Sequence, residues 1–265
     1  MDELKHIGEH LEEIRKRVIR MVIAVVIITF FILGFHLTPF VYNGITLYYP
    51  NPNPFDNIAA QVTVAMKHHL VPSTVQLIQT APGQAFFAQF YVAVLLGMVI
   101  GMPVIVKEFV GFLAPALGKK EIHIIRSITI PAVCLFVAGC LFSYFFVTPY
   151  ILDFLYKYGQ SSELVTFLNV VDFITFVLQF LLSFGVSFQL PLIMYALSAA
   201  GLVDSKFWRK NIRYAVLGIV IFGAAVTPDG SGVTMWFVSG PMMALYLIGM
   251  IFAERRSKQT ATLKS

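Results

Sequence analysis

"VIRMVIAVVIITFFILGFHL", Val18 to Leu37, is twenty residues long, carries one formal charge at Arg20, and shows no alternation of polar and apolar positions. As a helix rising about 1.5 Å per residue, such a run crosses a hydrocarbon core of roughly 30 Å, whereas a membrane strand would alternate. It starts too far from Met1 and extends too far for a secretory h-region of roughly 7–15 residues, and no small-residue cleavage site follows it, so it is expected to be a retained span. The rest of the chain has the same character. Its 265 residues are 58% hydrophobic and 12% charged with a mean hydropathy of +0.79, against roughly 45–50% apolar and about 25% charged in soluble domains. The composition is that of an integral membrane protein.

Working outward from the first run, the pattern predicts an all-α protein of six transmembrane helices near Val18–Leu37, Phe86–Val106, Ser127–Thr148, Asp172–Ala200, Tyr214–Thr227 and Val233–Phe252, forming one transmembrane domain over residues 1–265. An even number places both termini on one side, and lysine and arginine mark which side is cytoplasmic. Every lysine and arginine except Lys67 and Lys157 falls in residues 1–20, 107–126, 206–213 or 253–265. The termini and the tail 253–265 are therefore expected in the cytoplasm. Topology also accounts for the net charge of +5, so no nucleic-acid partner is called for.

The fifth span has 14 residues, about 21 Å as a helix and about 9 Å short of an average hydrocarbon core. Pro241 interrupts the sixth, so the last two helices should form a short hairpin around Pro228–Gly232, with local bilayer thinning or an oligomeric neighbour. The external segment 38–85 is expected to hold a short amphipathic helix, with Asn53 as its cap, Pro54 first, and Phe55, Ile58, Val62 and Met66 on one face, lying on the outer membrane surface or roofing the bundle. Cys134 and Cys140 are six apart on one helix and point different ways, which reads as two small buried hydrophobes. No cofactor and no metal site is indicated.

Immediately before the first run stands "EHLEEIRKR", Glu9 to Arg17. Leu4, Ile7, Leu11, Ile14 and Val18 recur at steps of three and four, so the amino terminus should be an amphipathic helix running into the span. Carboxylates contribute little to sidedness, which leaves Glu12 and Glu13 to be explained. Glu12–Lys16 and Glu13–Arg17 are spaced four apart with the acid first, the favourable order for a solvated helix pair. Alternatively, one carboxylate is kept for an incoming guanidinium, whose planar fork matches it.

Together with "GFLAPALGKKE" (Gly111 to Glu121), "FGVSFQLPL" (Phe184 to Leu192) and "VTPDG" (Val226 to Gly230), this motif resembles the TatC family, the multispanning receptor subunit of twin-arginine protein translocases. The similarity runs in order over nearly the whole chain. It implies a receptor in the cell membrane that binds the paired arginines of signal peptides on folded proteins at the cytoplasmic face. It further implies recruitment of single-span TatA/TatB-type subunits, a homo-oligomer within a hetero-complex, drive by the transmembrane proton gradient, and a concave, cupped bundle. Carried over by position, Glu13, Arg15, Phe112 and Glu121 are the signal-peptide residues. Gln189 and Asp229 are further candidates, as a mid-membrane polar or partner contact. At Gln189 the family usually has a glutamate, whereas this chain's amide is uncharged and cannot titrate. Interhelical bonding explains Gln189 equally well, and a turn explains Asp229.

Other classes fit less well. A secondary transporter or channel for a small solute would share six spans, but these spans hold few ionisable groups to line a pathway. An intramembrane protease would need His-Glu-x-x-His, Gly-x-Ser-Gly or an aspartate pair, and an ATP-driven pump a phosphate loop; the chain has none of them. No enzyme is expected.

Overall fold

A computed structural model describes residues 2–72, 75–113, 121–161, 166–199, 201–227 and 232–262. Side chains are described for 11–72, 75–109, 111–112, 128–159, 161, 166–199, 201–204, 206–227 and 232–255. The fold is mostly helical, because a backbone without water to bond must satisfy its N–H and C=O groups within the segment. Among the described residues, five helical stretches are long and apolar enough to cross a membrane: Leu11–Gly34, Gln84–Phe109, Ile128–Gly159, Val170–Ala199 and Val233–Arg255. A sixth apolar helix, Ile212–Val226, has only 15 residues, close to the short fifth span expected from sequence.

The chain divides into two compact units, Met1–Ile105 with Thr148–Leu178, and Val106–Val147 with Gln179–Ser265. In the first, helix α1 (Asp2–Gly34) runs unbroken from the amphipathic amino terminus through the first apolar run. Strands β1 (Phe35–Tyr42) and β2 (Ile45–Pro52) follow as an antiparallel hairpin. Its two-residue turn has positive φ at both Asn43 (50°) and Gly44 (79°), the conformation that Asn-Gly supplies at the tightest hairpin turns. Helix α2 (Ile58–Leu70) lies beyond it, and β3 (Gln76–Ile78) pairs in parallel with β4 (Phe167–Asn169). Helices α3 (Gln84–Leu113) and α6 (Val170–Ser187) begin in this unit, and α5 (Thr148–Ser161) lies within it.

Close approach of α1 and α3 rests on Gly97 and Gly101. A methyl group at Gly97 would sit 2.5 Å from Thr29 Oγ1 and 3.1 Å from Val25 O. Small residues permit such contacts where lipid removes any hydrophobic drive between helices.

The second unit holds α4 (Glu121–Phe142), a π-helical turn (Ser143–Val147), α7 (Leu190–Ala199), α8 (Ser205–Lys210), α9 (Ile212–Val226) and α10 (Val233–Thr262). Helix α7 packs on α10, where Gly249 faces Met194 and Pro191, and α9 packs on α10 at Gly223, facing Ser239 and Met235. Aromatic rings knit α4 to α6: Phe142 lies 5.7 Å from Phe184 and 5.6 Å from Phe188 between ring centroids.

Besides α10, which runs for 30 residues through Pro241 where a short, interrupted helix was expected, and Cys134, exposed where a buried side chain was expected, four details differ from the sequence reading. The helix of the external segment is capped by Asn57, whose Oδ1 accepts from Ala60 N at 2.9 Å, and not by Asn53. Asn53 Oδ1 instead accepts from Phe55 N and Asp56 N in a turn before the helix, leaving Phe55 91% exposed. Asn57 prevails because it is buried and its Nδ2 also donates to Pro54 O and Gln89 Oε1, bonds that the other register would forfeit. The β-hairpin was not anticipated at all.

Third, helix continues through residue 148 to Ser161. Proline at 149 removes a donor and crowds the carbonyl one turn back, and the π-helical turn at Ser143–Val147 absorbs that mismatch without ending the helix. Fourth, the fourth span is two helices, α6 and α7, joined at Phe188–Gln189; Pro191 cannot supply the N–H that would continue α6. The cysteines do diverge as expected in direction, with Cys134 exposed and Cys140 buried, and both are free thiols.

The tightest backbone approach in the second unit is at Gly139, where an added methyl would lie 2.5 Å from Phe184 O and 2.9 Å from its carbonyl carbon. Backbone cannot step aside as a side chain can. Gly139→Ala is expected to destabilise the protein by about 1–3 kcal/mol, as overpacking does. Gly218→Ala and Gly240→Ala, where nothing lies within 4 Å, should leave thermal unfolding in detergent unchanged or slightly raised.

Candidate functional site

Glu13 and Arg15 sit on the amino-terminal part of α1, in the first unit. The two glutamates there have separate surroundings. Glu12 Oε1 meets Lys16 Nζ at 2.9 Å, with both side chains more than 60% exposed, so water screens the pair and it contributes little. Glu13 is 35% exposed and holds Arg17, itself 22% exposed. Arg17 donates from both Nε (3.0 Å) and Nη2 (2.6 Å), and both bonds land on Glu13 Oε1. Glu13 is thus a carboxylate already oriented by a guanidinium fork. Arg15 is exposed, two positions from Glu13 and so on a different helix face.

Phe112 and Glu121 belong to the second unit. Phe112 is half-buried near the end of α3, and Glu121 is the first residue of α4. The Glu121 side chain and all of Asp229 lie outside the described residues. The structure therefore sets out two groups of candidates, each in its own unit.

Gln189 occupies the turn between α6 and α7. Its Nε2 donates to Ala132 O of α4 at 3.1 Å and to Gly185 O at 3.4 Å. Both amide protons are committed to carbonyls, at the place where Gly185 brings α6 against the Phe136 ring and the Cys140 sulfur of α4. Gln189 ties α4 to the α6–α7 turn. A carboxylate could not supply these donors unless protonated.

Two features escaped the sequence reading. Glu108, 8% exposed, is an acid buried in α3 four residues before Phe112 and on the same helix face. Ending the second span at Val106 hid it, and the i, i+4 spacing to Phe112 was the available signal. Arg209 of α8 grips Glu254 of α10 with two bonds of 2.8 Å, Nε to Oε1 and Nη2 to Oε2. Beside it Trp208 Nε1 donates to Ser198 Oγ and Tyr246 OH donates to Trp208 O. That basic cluster served only to assign sidedness, and no local spacing links residues 45 positions apart. Among the described residues, no cluster of His, Cys, Asp and Glu could hold a metal ion.

Residues 9–241 match the family model described as Sec-independent protein translocase protein (TatC). The Sec-independent protein translocase protein TatC of Cenarchaeum symbiosum (strain A) is 61% identical over 252 residues, covering 95% of this chain and 96% of that protein. The protein of the same name from Aquifex aeolicus (strain VF5) is 30% identical over 257 residues, covering 95% and 97%. A crystal structure of the twin-arginine translocase receptor TatC superposes with a TM-score of 0.76 at 26% identity, covering 94% of this chain and 99% of that one.

The geometry at Gln189 makes its own prediction. Gln189→Leu keeps the volume and removes both amide bonds, and should lower stability in detergent by about 1 kcal/mol per lost bond. Thermal unfolding of the purified variant against the parent chain checks it. An unchanged midpoint would mean that the amide does not hold the helices together.

Proposed function

The chain belongs to the TatC family of Sec-independent protein translocases, and from that premise we propose that it is the core receptor of a twin-arginine translocase. It binds the twin-arginine signal peptides of folded proteins at the cytoplasmic face and recruits single-span TatA/TatB-type subunits for their export. TatC proteins are translocase subunits and not an enzyme family, so the chain supplies recognition while the proton gradient supplies the drive. The observation that carries the reading is Glu13: a half-buried carboxylate already gripped by a guanidinium on one oxygen. A signal-peptide arginine would take the second oxygen, Oε2, or displace Arg17, using the same fork geometry.

In this proposal Arg15 flanks the entering peptide, Phe112 packs against it, and Glu121 takes the second arginine. Gln189 serves the bundle as a mid-membrane polar contact, and Asp229 is offered to a partner. The five long apolar helices and the short α9 make six crossings, with both termini in the cytoplasm. The supporting observation is that Lys67 and Lys157 are the two basic residues outside the four cytoplasmic segments. The membrane is the cytoplasmic membrane, and the receptor works as a homo-oligomer within a hetero-complex.

Affinity for a twin-arginine peptide and for its twin-lysine version, measured on the purified full chain in nanodiscs, tests the reading. Glu13→Gln and Glu121→Gln should each weaken twin-arginine binding by about 1–3 kcal/mol, as loss of a charge-assisted hydrogen bond does. The twin-lysine peptide should bind more weakly, since an ammonium cannot form the fork. Equal binding of both peptides with silent acids would reduce the glutamates to a solvated helix face and make a solute pathway the reading to pursue.

A further inference from the structure

The hairpin Phe35–Pro52 is given no part in the recognition proposed above, yet its outer half is unusual for a surface element. Cross-strand partners Phe40↔Leu47 and Tyr42↔Ile45 are successive rungs on one face, and the rings of Phe40 and Tyr42 stack with centroids 6.5 Å apart. All four are more than half exposed. The opposite face carries Val41↔Thr46 and Pro39↔Tyr48. No Asp, Glu, Lys or Arg occurs anywhere from Phe35 to Pro52.

We propose that this hairpin is an interfacial arm lying in the headgroup region of the leaflet where α1 ends, with Phe40, Tyr42, Ile45 and Leu47 turned toward the acyl chains. Three observations select lipid as the occupant. The arm is continuous with the bilayer-crossing segment, since β1 starts at the residue after Gly34. Its root is held there: Gln61 of α2 bonds both the N–H and the C=O of Leu37, and His36 Nδ1 lies 2.8 Å from Asp56 O. Its chemistry is that of a membrane interface, free of charge and bearing tyrosines that join an apolar ring to a polar tip.

Strand addition by a second copy is the main competing way to cover an exposed hairpin. Pro39 in β1, and Pro50 and Pro52 in β2, oppose it. A proline is tolerated in a strand where its missing N–H would face away from the ladder, and there it removes the donor that an added strand would need.

The proposal rests on α1 being a span, which the experiment checks separately. Single cysteines at Phe40→Cys, Leu47→Cys, Val41→Cys, Thr46→Cys and, on α1, Phe30→Cys would be spin-labelled in the full chain carrying Cys134→Ala and Cys140→Ala, in phosphatidylcholine nanodiscs. Collision with oxygen should exceed collision with a water-soluble nickel chelate several-fold at 40 and 47, close to the value at 30, with the reverse at 41 and 46. Phe40→Trp and Thr46→Trp, each with Trp208→Phe and Trp236→Phe and with the cysteines unaltered, give a second readout: brominated lipid should quench the first several-fold more than the second.

Water-like accessibility at all four hairpin positions, with position 30 in lipid, would overturn the proposal. So would shielding of 40 and 47 from both reagents, with spin–spin broadening between copies marking a dimer face. A water-exposed label at 30 would overturn the span and the arm together.

Discussion

Hydrocarbon offers a peptide group no hydrogen-bond partner, and the rest of this structure follows from that constraint. Each long apolar run must be helical, and each proline within a run becomes a local problem. Pro103, Pro131 and Pro241 are carried inside α3, α4 and α10. The proline at position 149 is preceded by a π-helical turn, and Pro191 by the Phe188–Gln189 turn. At that second turn Phe188 N bonds Phe184 O and Gln189 N bonds Val186 O, so the chain passes through the break without abandoning its backbone pairing. Gln189 is the polar side chain at that break, and its amide bonds to carbonyls are the same constraint expressed through a side chain.

Holding helices together in lipid is a second consequence. Burial against a neighbouring helix gains no hydrophobic free energy when lipid tails are equally apolar, so contact distance and polar bonds decide. Gly97, Gly139, Gly185, Gly223 and Gly249 sit where a methyl group would collide with a neighbouring helix. Side-chain bonds cross between helices near several of them: Thr29 to Ala93 O, Ser239 to Ile219 O and Cys140 to Leu181 O, each 3.5 Å and weak, and Gln189 to Ala132 O at 3.1 Å. Two guanidinium forks, Arg17 on Glu13 and Arg209 on Glu254, use the strongest polar geometry available to side chains.

The hairpin shows how a pattern can be present and still mute. Asn43-Gly44 between two aromatic-rich stretches is a strong short-range hairpin signal. Polar–apolar alternation, the other strand signal, arises when one face is buried and the other wet, and here the outer half of the hairpin is exposed on both faces. With half of the signal missing, a nearby Asn-Pro helix start dominated the reading of 38–85. That helix start was itself four residues early, because Asn53 and Asn57 are equally good caps locally and the bond to Gln89, 32 residues away, separates them.

Five long apolar helices and a shorter sixth were legible in the chain because each depends on segment-level transfer energy, a sum over neighbours in sequence, although the third runs on to Gly159 and not to residue 148 as expected. The Glu12–Lys16 and Glu13–Arg17 pairs were legible for the same reason, being local to one helix. Tertiary structure alone decided that Glu12 is solvated while Glu13 is half-buried, that Glu108 is enclosed, that Gln189 bonds α4, and that Arg209 finds Glu254. Those outcomes depend on burial and on directional bonds between residues far apart in the chain, and no window of sequence contains both partners.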